Sequence, residues 1–317
     1  MSLLPRLAPV VLWVVTAACA PSAPDAPGAA SAPDAPGVPE DHSAKVQAFR
    51  DKHEADYIRD WVSIAGLHFL EQGSHTVGSA VRNDIVVVAN IPETIGRLHV
   101  KGTSITFDPA AGIPVTRKGE PVKGPIVMKE EGQAPAPEIV IGDVRLVAHV
   151  SGERLALRVR DPNGPLAKDF RGFTWFPIDP KYRVVGKFVP DAEPKKVTVQ
   201  NTFGDMDTYM TEGVVEFELD GQKLRVRPFT TRPKRFYIVF RDASAGEETY
   251  ETARFLYADL QDDGTTVLDF NEAYNPPCSF NPYTTCPIPV KDSIVPVKIL
   301  AGEKAYPIHV TIPEPTK

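Results

Sequence analysis

The chain has 317 residues, 42% of them hydrophobic and 24% charged, with a formal net charge of −6 and a pI near 5.7. This is the balance of a soluble globular protein of one large or two modest domains. The acidic composition without a basic stripe excludes a nucleic-acid partner, since such binding rests on Lys and Arg neutralising phosphates. Proline is the outlier at 32 residues; that is about twice the usual share, and it favours short strands, turns and rigid loops over long helices.

Residues 1–18 read as an export signal, with Arg6, an apolar run Leu7–Val15 too short to span a bilayer, and the small residues Thr16-Ala17-Ala18 before Cys19. That ending resembles a bacterial lipobox, which implies cleavage before Cys19 and a lipid anchor on its sulfur; the alternative is an ordinary signal peptide. Ala20 then points to the outer membrane, facing the periplasm. From 19 to 43 the chain is a Pro/Ala-rich linker in which Ser22-Ala-Pro-Asp-Ala-Pro-Gly28 recurs as Ser31–Gly37. It holds too little apolar surface to offset its ordering entropy and is expected to be a disordered spacer.

The folded part, 44–317, opens with the one segment of clear helical period. Ser43 is placed to cap it, and Val46, Phe49, His53, Tyr57 and Trp61 recur at three- and four-residue steps. Alternation and short apolar runs follow, among them Asp84–Val88, Ser104–Phe107, Val144–His149, Leu155–Val159, Val214–Leu219, Phe236–Phe240 and Val295–Leu300. Turn signals such as Gly142-Asp143, Asp220-Gly221 and Asp263-Gly264 separate them. The expected fold is all-β: an antiparallel sandwich or barrel of about a dozen strands with one leading helix, either one body or two lobes meeting near 165–195.

In the N-terminal half, His75-Thr-Val-Gly-Ser79, Asn83-Asp-Ile85 and Gly96-Arg-Leu-His99 resemble a forkhead-associated sandwich. Ser79 stands where that fold's phosphate-contacting arginine belongs, and Gly96 replaces its serine. The resemblance therefore implies the fold without phosphothreonine reading.

Cys278 and Cys286 remain after Cys19, with seven residues between them in an exported chain. A disulfide is the default reading, worth ~2.6 kcal/mol in the chain-entropy model. A zinc site would require two more ligands, so no metal or cofactor is expected.

From about Phe49 to Pro307 the chain resembles the bacterial family known as domain of unknown function 1684. The resemblance rests on Gly66-Leu-His-Phe-Leu70, Phe173-Thr-Trp-Phe-Pro177, Thr249-Tyr-Glu-Thr-Ala-Arg-Phe-Leu256, Leu268-Asp-Phe-Asn-Glu-Ala-Tyr-Asn-Pro-Pro-Cys278, Ser279-Phe-Asn-Pro-Tyr-Thr-Thr-Cys-Pro287 and Ala301-Gly-Glu-Lys304. It implies no established activity.

Amides and phenols are dense after the last long strand: Asn271, Tyr274, Asn275, Asn281 and Tyr283, with Tyr250 and Arg254 upstream. Such groups on a rigid loop suit a small polar ligand or cell-wall fragment, and equally suit a loop that satisfies its own backbone. Arg254 is placed either to anchor an acidic ligand or to pair with Asp269. The competing class is a hydrolase with His68 as acid/base and Asp269 as its carboxylate, Ser63 or Ser279 being candidate nucleophiles. Phe173, Trp175, Phe176 and Tyr182 read as a sugar platform or as core. A structural interaction module is the third reading.

Overall fold

The structure is a computed structural model, which describes residues 39–308. The signal segment, Cys19 and the repeated spacer lie outside the described residues. The leading helix spans His42–Tyr57 and continues as a π-helical turn, Ile58–Val62. Its N-cap is Asp41, without a side-chain cap bond, so Ser43 is an exposed first-turn residue and not the cap. His42, Val46, Arg50 and His53 form the buried stripe. The apolar period therefore located the helix but missed two polar members of its buried face, His42 and Arg50.

Among the described residues, nineteen strands follow in four sheets, and none of these sheets closes into a barrel. The excess over a dozen comes partly from two-residue pairings such as Thr116–Arg117 and Glu120–Pro121, too short to show alternation, and partly from polar strands such as Gly73–Gly78. One six-stranded sheet runs in the order Ile64–Phe69, Arg154–Arg160, Val144–Ser151, Ile139–Ile141, Thr116–Arg117, Glu120–Pro121. A five-stranded sheet follows the order Ile85–Val86, Gly73–Gly78, Gly96–Lys101, Ser104–Pro109, Ile126–Lys129. Both contribute to one apolar core through Val77, Leu98, Phe107, Ile139, Leu146, Leu157 and Val159.

The C-terminal half repeats this arrangement. One sheet orders Gln222–Val226, Met206–Leu219, Arg183–Gln200 and Thr265–Asp269; the other orders Phe229–Arg232, Arg235–Asp242 and Arg254–Asp259, with Ile294–Val295 added in parallel to Arg235–Asp242. Val215, Phe217, Phe236, Ile238, Phe240, Leu256, Leu268 and Phe270 fill the space between them. The turn at Asp220-Gly221 joins Leu219 to Gln222 with both turn residues at positive φ, 52° and 70°, the backbone of a tight hairpin.

Strand Arg235–Asp242 is apolar on both sides because it is covered on both. Phe236, Ile238 and Phe240 enter the inter-sheet core, whereas Tyr237 and Val239 join a third cluster with Phe255, Tyr274, Cys278 and Cys286. Phe49 and Tyr57 of the leading helix pack on that third cluster, so the helix covers the outer face of this sheet.

Candidate functional site

Between the helix and this sheet lies a cavity of ≈ 600 Å³, within the range of small-ligand sites. Its walls include His53, Tyr57 and Trp61 from the helical segment, Tyr209, Tyr237 and Tyr257 from the strands, and Tyr274 from the following loop. The rings are mutually packed: His53 stands 4.0 Å from Tyr57 and 4.4 Å from Tyr274, centroid to centroid, and Tyr237 stacks on Tyr257 at 5.1 Å. Burial pulls the His53 pKa down to about 4, so its ring is neutral near pH 7. Its Nε2 has no hydrogen-bond partner among the described residues. Burial also pushes the phenols of Tyr57, Tyr237 and Tyr274 well above the ordinary tyrosine range, each reinforced by neighbouring tyrosines, so they act as neutral hydroxyls.

A second cavity of ≈ 340 Å³ adjoins the first, sharing Phe49 and Tyr257. Here His42 Nε2 lies 2.6 Å from Asp269 Oδ2, and Glu272, Arg183 and Arg235 complete the polar wall. The pairing leaves His42 Nδ1 buried without a partner. Burial, with the Asp269 charge beside it, raises the Glu272 pKa to about 7. Asp269 Oδ1 accepts from the Asn271 backbone N–H and Nδ2, which fixes the carboxylate opposite His42.

The asparagines expected to bind a ligand are fully buried and turned inward. Asn271 accepts from the Asp179 N–H and donates to the Asp179 carbonyl, Asn281 donates to the carbonyls of Trp61 and Ile64, and Asn275 donates to Glu303 and to the Lys304 carbonyl. They lock the loop to the helix end and to the C-terminal segment. Asn275 also holds Glu303, whose carboxyl burial pushes up to about 8. Tyr283 is half-buried, with its backbone N–H donating to Asn281 Oδ1. Tyr250 borders a separate cavity of ≈ 140 Å³ beside Ser279. Of the loop residues named from the sequence as ligand contacts, Tyr274 reaches the tyrosine-walled cavity.

Arg254 pairs with Asp242 at 2.9 Å and donates to the carbonyls of Ile299 and Ala301, so its partner is not Asp269. At 1% exposure it is enclosed by protein, which corrects the expectation of an anchor facing ligand. His68 lies opposite Leu157, a residue of the N-terminal core, while Asp269 closes a strand of the C-terminal half against Arg183. Asp269 does have a histidine partner, but it is His42. No sequence spacing links these two, which are 227 residues apart. Ser63 Oγ donates to the Arg59 carbonyl. The aromatics Phe173 and Trp175 pack on His53, the Trp175 Nε1 donates to Glu54, and Tyr182 enters the inter-sheet core.

The disulfide expected from export and spacing is not formed. Cys278 and Cys286 are free and buried in the third cluster. The Tyr250 hydroxyl donates to Cys278 Sγ at 3.7 Å and Cys286 Sγ donates to Thr284 Oγ1 at 3.9 Å, while the Cys286 N–H donates to Thr202 Oγ1. Hydrogen bonds and packing hold this loop where a covalent staple was expected. In the N-terminal half, Ser79 Oγ donates to the Ile91 carbonyl, and a Cβ on Gly96 would come within 2.2 Å of the Asp108 carbonyl oxygen. The serine of a phosphothreonine reader has no room there.

Residues 168–304 match the family model described as "Protein of unknown function (DUF1684)". That stretch is under half of the chain and shorter than the resemblance read from the sequence. The DUF1684 segment supplies the sheet and loop walls of both cavities, whereas the helix carrying His42 and His53 precedes it. No curated protein matches the chain. Among solved structures, it is similar to the solution structure of an uncharacterized protein from gene locus rrnAC0354 of Haloarcula marismortui, with 28% identity, 47% of this chain and 85% of that chain covered, and a TM-score of 0.39. That relative is archaeal, whereas the sequence resemblance was to a bacterial family.

Proposed function

We propose that the protein is a lipid-anchored envelope receptor for a small molecule whose planar or apolar body lies in the tyrosine-walled cavity. One observation carries the reading: a ≈ 600 Å³ space walled by aromatic rings, with the buried Nε2 of His53 left without a partner. Buried polar atoms are nearly always hydrogen-bonded, and one group of a bound molecule would complete this one. The polar loop contributes Tyr274 and the rigidity of its asparagines. Cys19 and the spacer supply the tether, and processing that fails in Cys19→Ser would support that part.

The probe is naphthalene-2-carboxamide, a neutral aromatic amide that can stack on tyrosines and bond to either tautomer of His53. Saturation-transfer NMR is expected to show contact in the wild type, with transfer lost in Tyr274→Ala and in His53→Phe. Absence of binding by both this amide and its carboxylate counterpart overturns the reading.

A second reading, hydrolysis, is favoured by the 2.6 Å contact between His42 and Asp269 beside Glu272. His42 then takes the role first given to His68: Asp269 orients the ring and Glu272, titrating near neutrality, serves as acid. Turnover of 2-naphthyl acetate that disappears in both His42→Ala and Glu272→Gln, with naphthalene-2-carboxamide binding retained, would establish it. Unchanged turnover in either variant would exclude it.

A further inference from the structure

Arg158 is a buried arginine with no counter-ion among the described residues. It sits in strand Arg154–Arg160, whose Leu155, Leu157 and Val159 enter the N-terminal core, so Arg154, Arg158 and Arg160 share the opposite face. Its neighbours on that face all have carboxylates. Arg154 pairs with Asp205 at 2.7 Å, and Arg160 and Arg145 pair with Glu138 at 2.9 and 3.2 Å. Arg158 is more deeply buried, at 6% exposure, yet among the described residues its side chain has one hydrogen bond, Nη2 donating to His149 Nε2 at 3.0 Å. Its Nε has none. His149 cannot balance the charge: burial and the cations around it hold that ring neutral, with a pKa of about 3.

A cation taken out of water without a counter-charge is an expensive arrangement that proteins rarely retain. Burial accordingly pulls even this guanidinium down to about 10. Arg158 does not itself line the tyrosine cavity but stands behind residues that do. Its guanidinium carbon stands 5.6 Å from the Trp61 ring centroid, and its partner His149 Nε2 lies 3.0 Å from Thr285 Oγ1. Trp61 and Thr285 both line the cavity.

We infer that the ligand is an aromatic carboxylate, its ring among the tyrosines and its charge on the Trp61–Thr285 side of the cavity, where it balances the uncompensated guanidinium of Arg158 behind that wall. The inference rests on the tyrosine cavity being a ligand site and adds the chemical class of what enters it.

Two nearly isosteric probes separate the claims: naphthalene-2-carboxylate and naphthalene-2-carboxamide, titrated against the wild-type protein by calorimetry at pH 7.5. The carboxylate is expected to bind at least about ten-fold more tightly, as attraction to a desolvated cation requires. The preference is expected to fall to about two-fold or less in Arg158→Met, and to persist in Arg158→Lys. Equal affinity for the two probes in the wild type overturns the carboxylate while leaving the cavity as a neutral ligand site. Binding of neither probe overturns the cavity reading itself. The wild-type comparison decides the matter even where Arg158→Met does not fold.

Discussion

Arg254 and Arg158 show how two buried arginines of the same chain carry opposite meanings. Arg254 is neutralised: Asp242 balances its charge and two carbonyls accept hydrogen bonds from it, although its Nε–H has no partner among the described residues. Arg254→Met would strand the Asp242 carboxylate in the core, and a loss of about 3–5 kcal/mol in urea unfolding is expected. Asn281 belongs with it. Its amide joins the Trp61 and Ile64 carbonyls to the loop, so Asn281→Ala is expected to lower stability by about 1–3 kcal/mol, because it leaves buried carbonyls unpaired. Equilibrium unfolding of both variants checks this. Binding of naphthalene-2-carboxamide by folded Asn281→Ala should match the wild type, which separates an architectural asparagine from a ligand contact.

At the scale of the element, the leading helix is held by polar ties as much as by apolar packing. Arg50 donates to the Asn271 and Phe176 carbonyls and lies over the Trp175 ring, and His42 meets Asp269. These ties fix the helix over a cavity that would otherwise be an open sheet face. Arg50→Met is expected to increase amide exchange in residues 42–57 selectively, leaving the strand Arg235–Asp242 protected, because the C-terminal inter-sheet core does not depend on the helix. Equal acceleration in both elements would mean that the helix and the sheet open as one unit. The helix was legible in the sequence from Val46, Phe49, His53 and Tyr57, whereas its polar anchors were not, since Arg50 and His42 look like ordinary surface residues until their partners are known.

Across the whole molecule, several buried ionisable groups oppose one another in pH. His53, with its pKa lowered to about 4, contributes stability that is full above the unfolded value of 6.5 and is lost as pH falls through about 4. Glu303, raised to about 8, contributes stability that is full below its ordinary value of 4.5 and is lost as pH rises through about 8. Above pH 6.5 the histidine contribution is flat and the carboxyl contribution is still falling. Stability is therefore expected to decline between pH 6.5 and 8, and Glu303→Gln should reduce that decline to the part that Glu272, raised to about 7, contributes. Chemical unfolding at half-unit pH steps reads both outcomes, and a wild-type curve that rises over this interval would show Glu303 to be ionised in the folded protein.

What the sequence determined by itself was the local chemistry of the chain. Period and turn residues marked one leading helix and a β-rich body, and the Asp220-Gly221 hairpin formed as its residues require, with both at positive φ. The motif around Asp269 and Asn271 pointed to a structured segment, and Asp269 proved to be half of a histidine pair. Tertiary structure alone decided the partners. Nothing in a linear pattern brings His42 to Asp269, Arg254 to Asp242, or Arg158 to the Trp61 ring, because each pair is joined by sheet register and packing. The asparagines read as ligand contacts for the same reason: an amide's hydrogen-bonding capacity is visible in sequence, but whether it faces solvent or its own backbone depends on what the rest of the chain places against it.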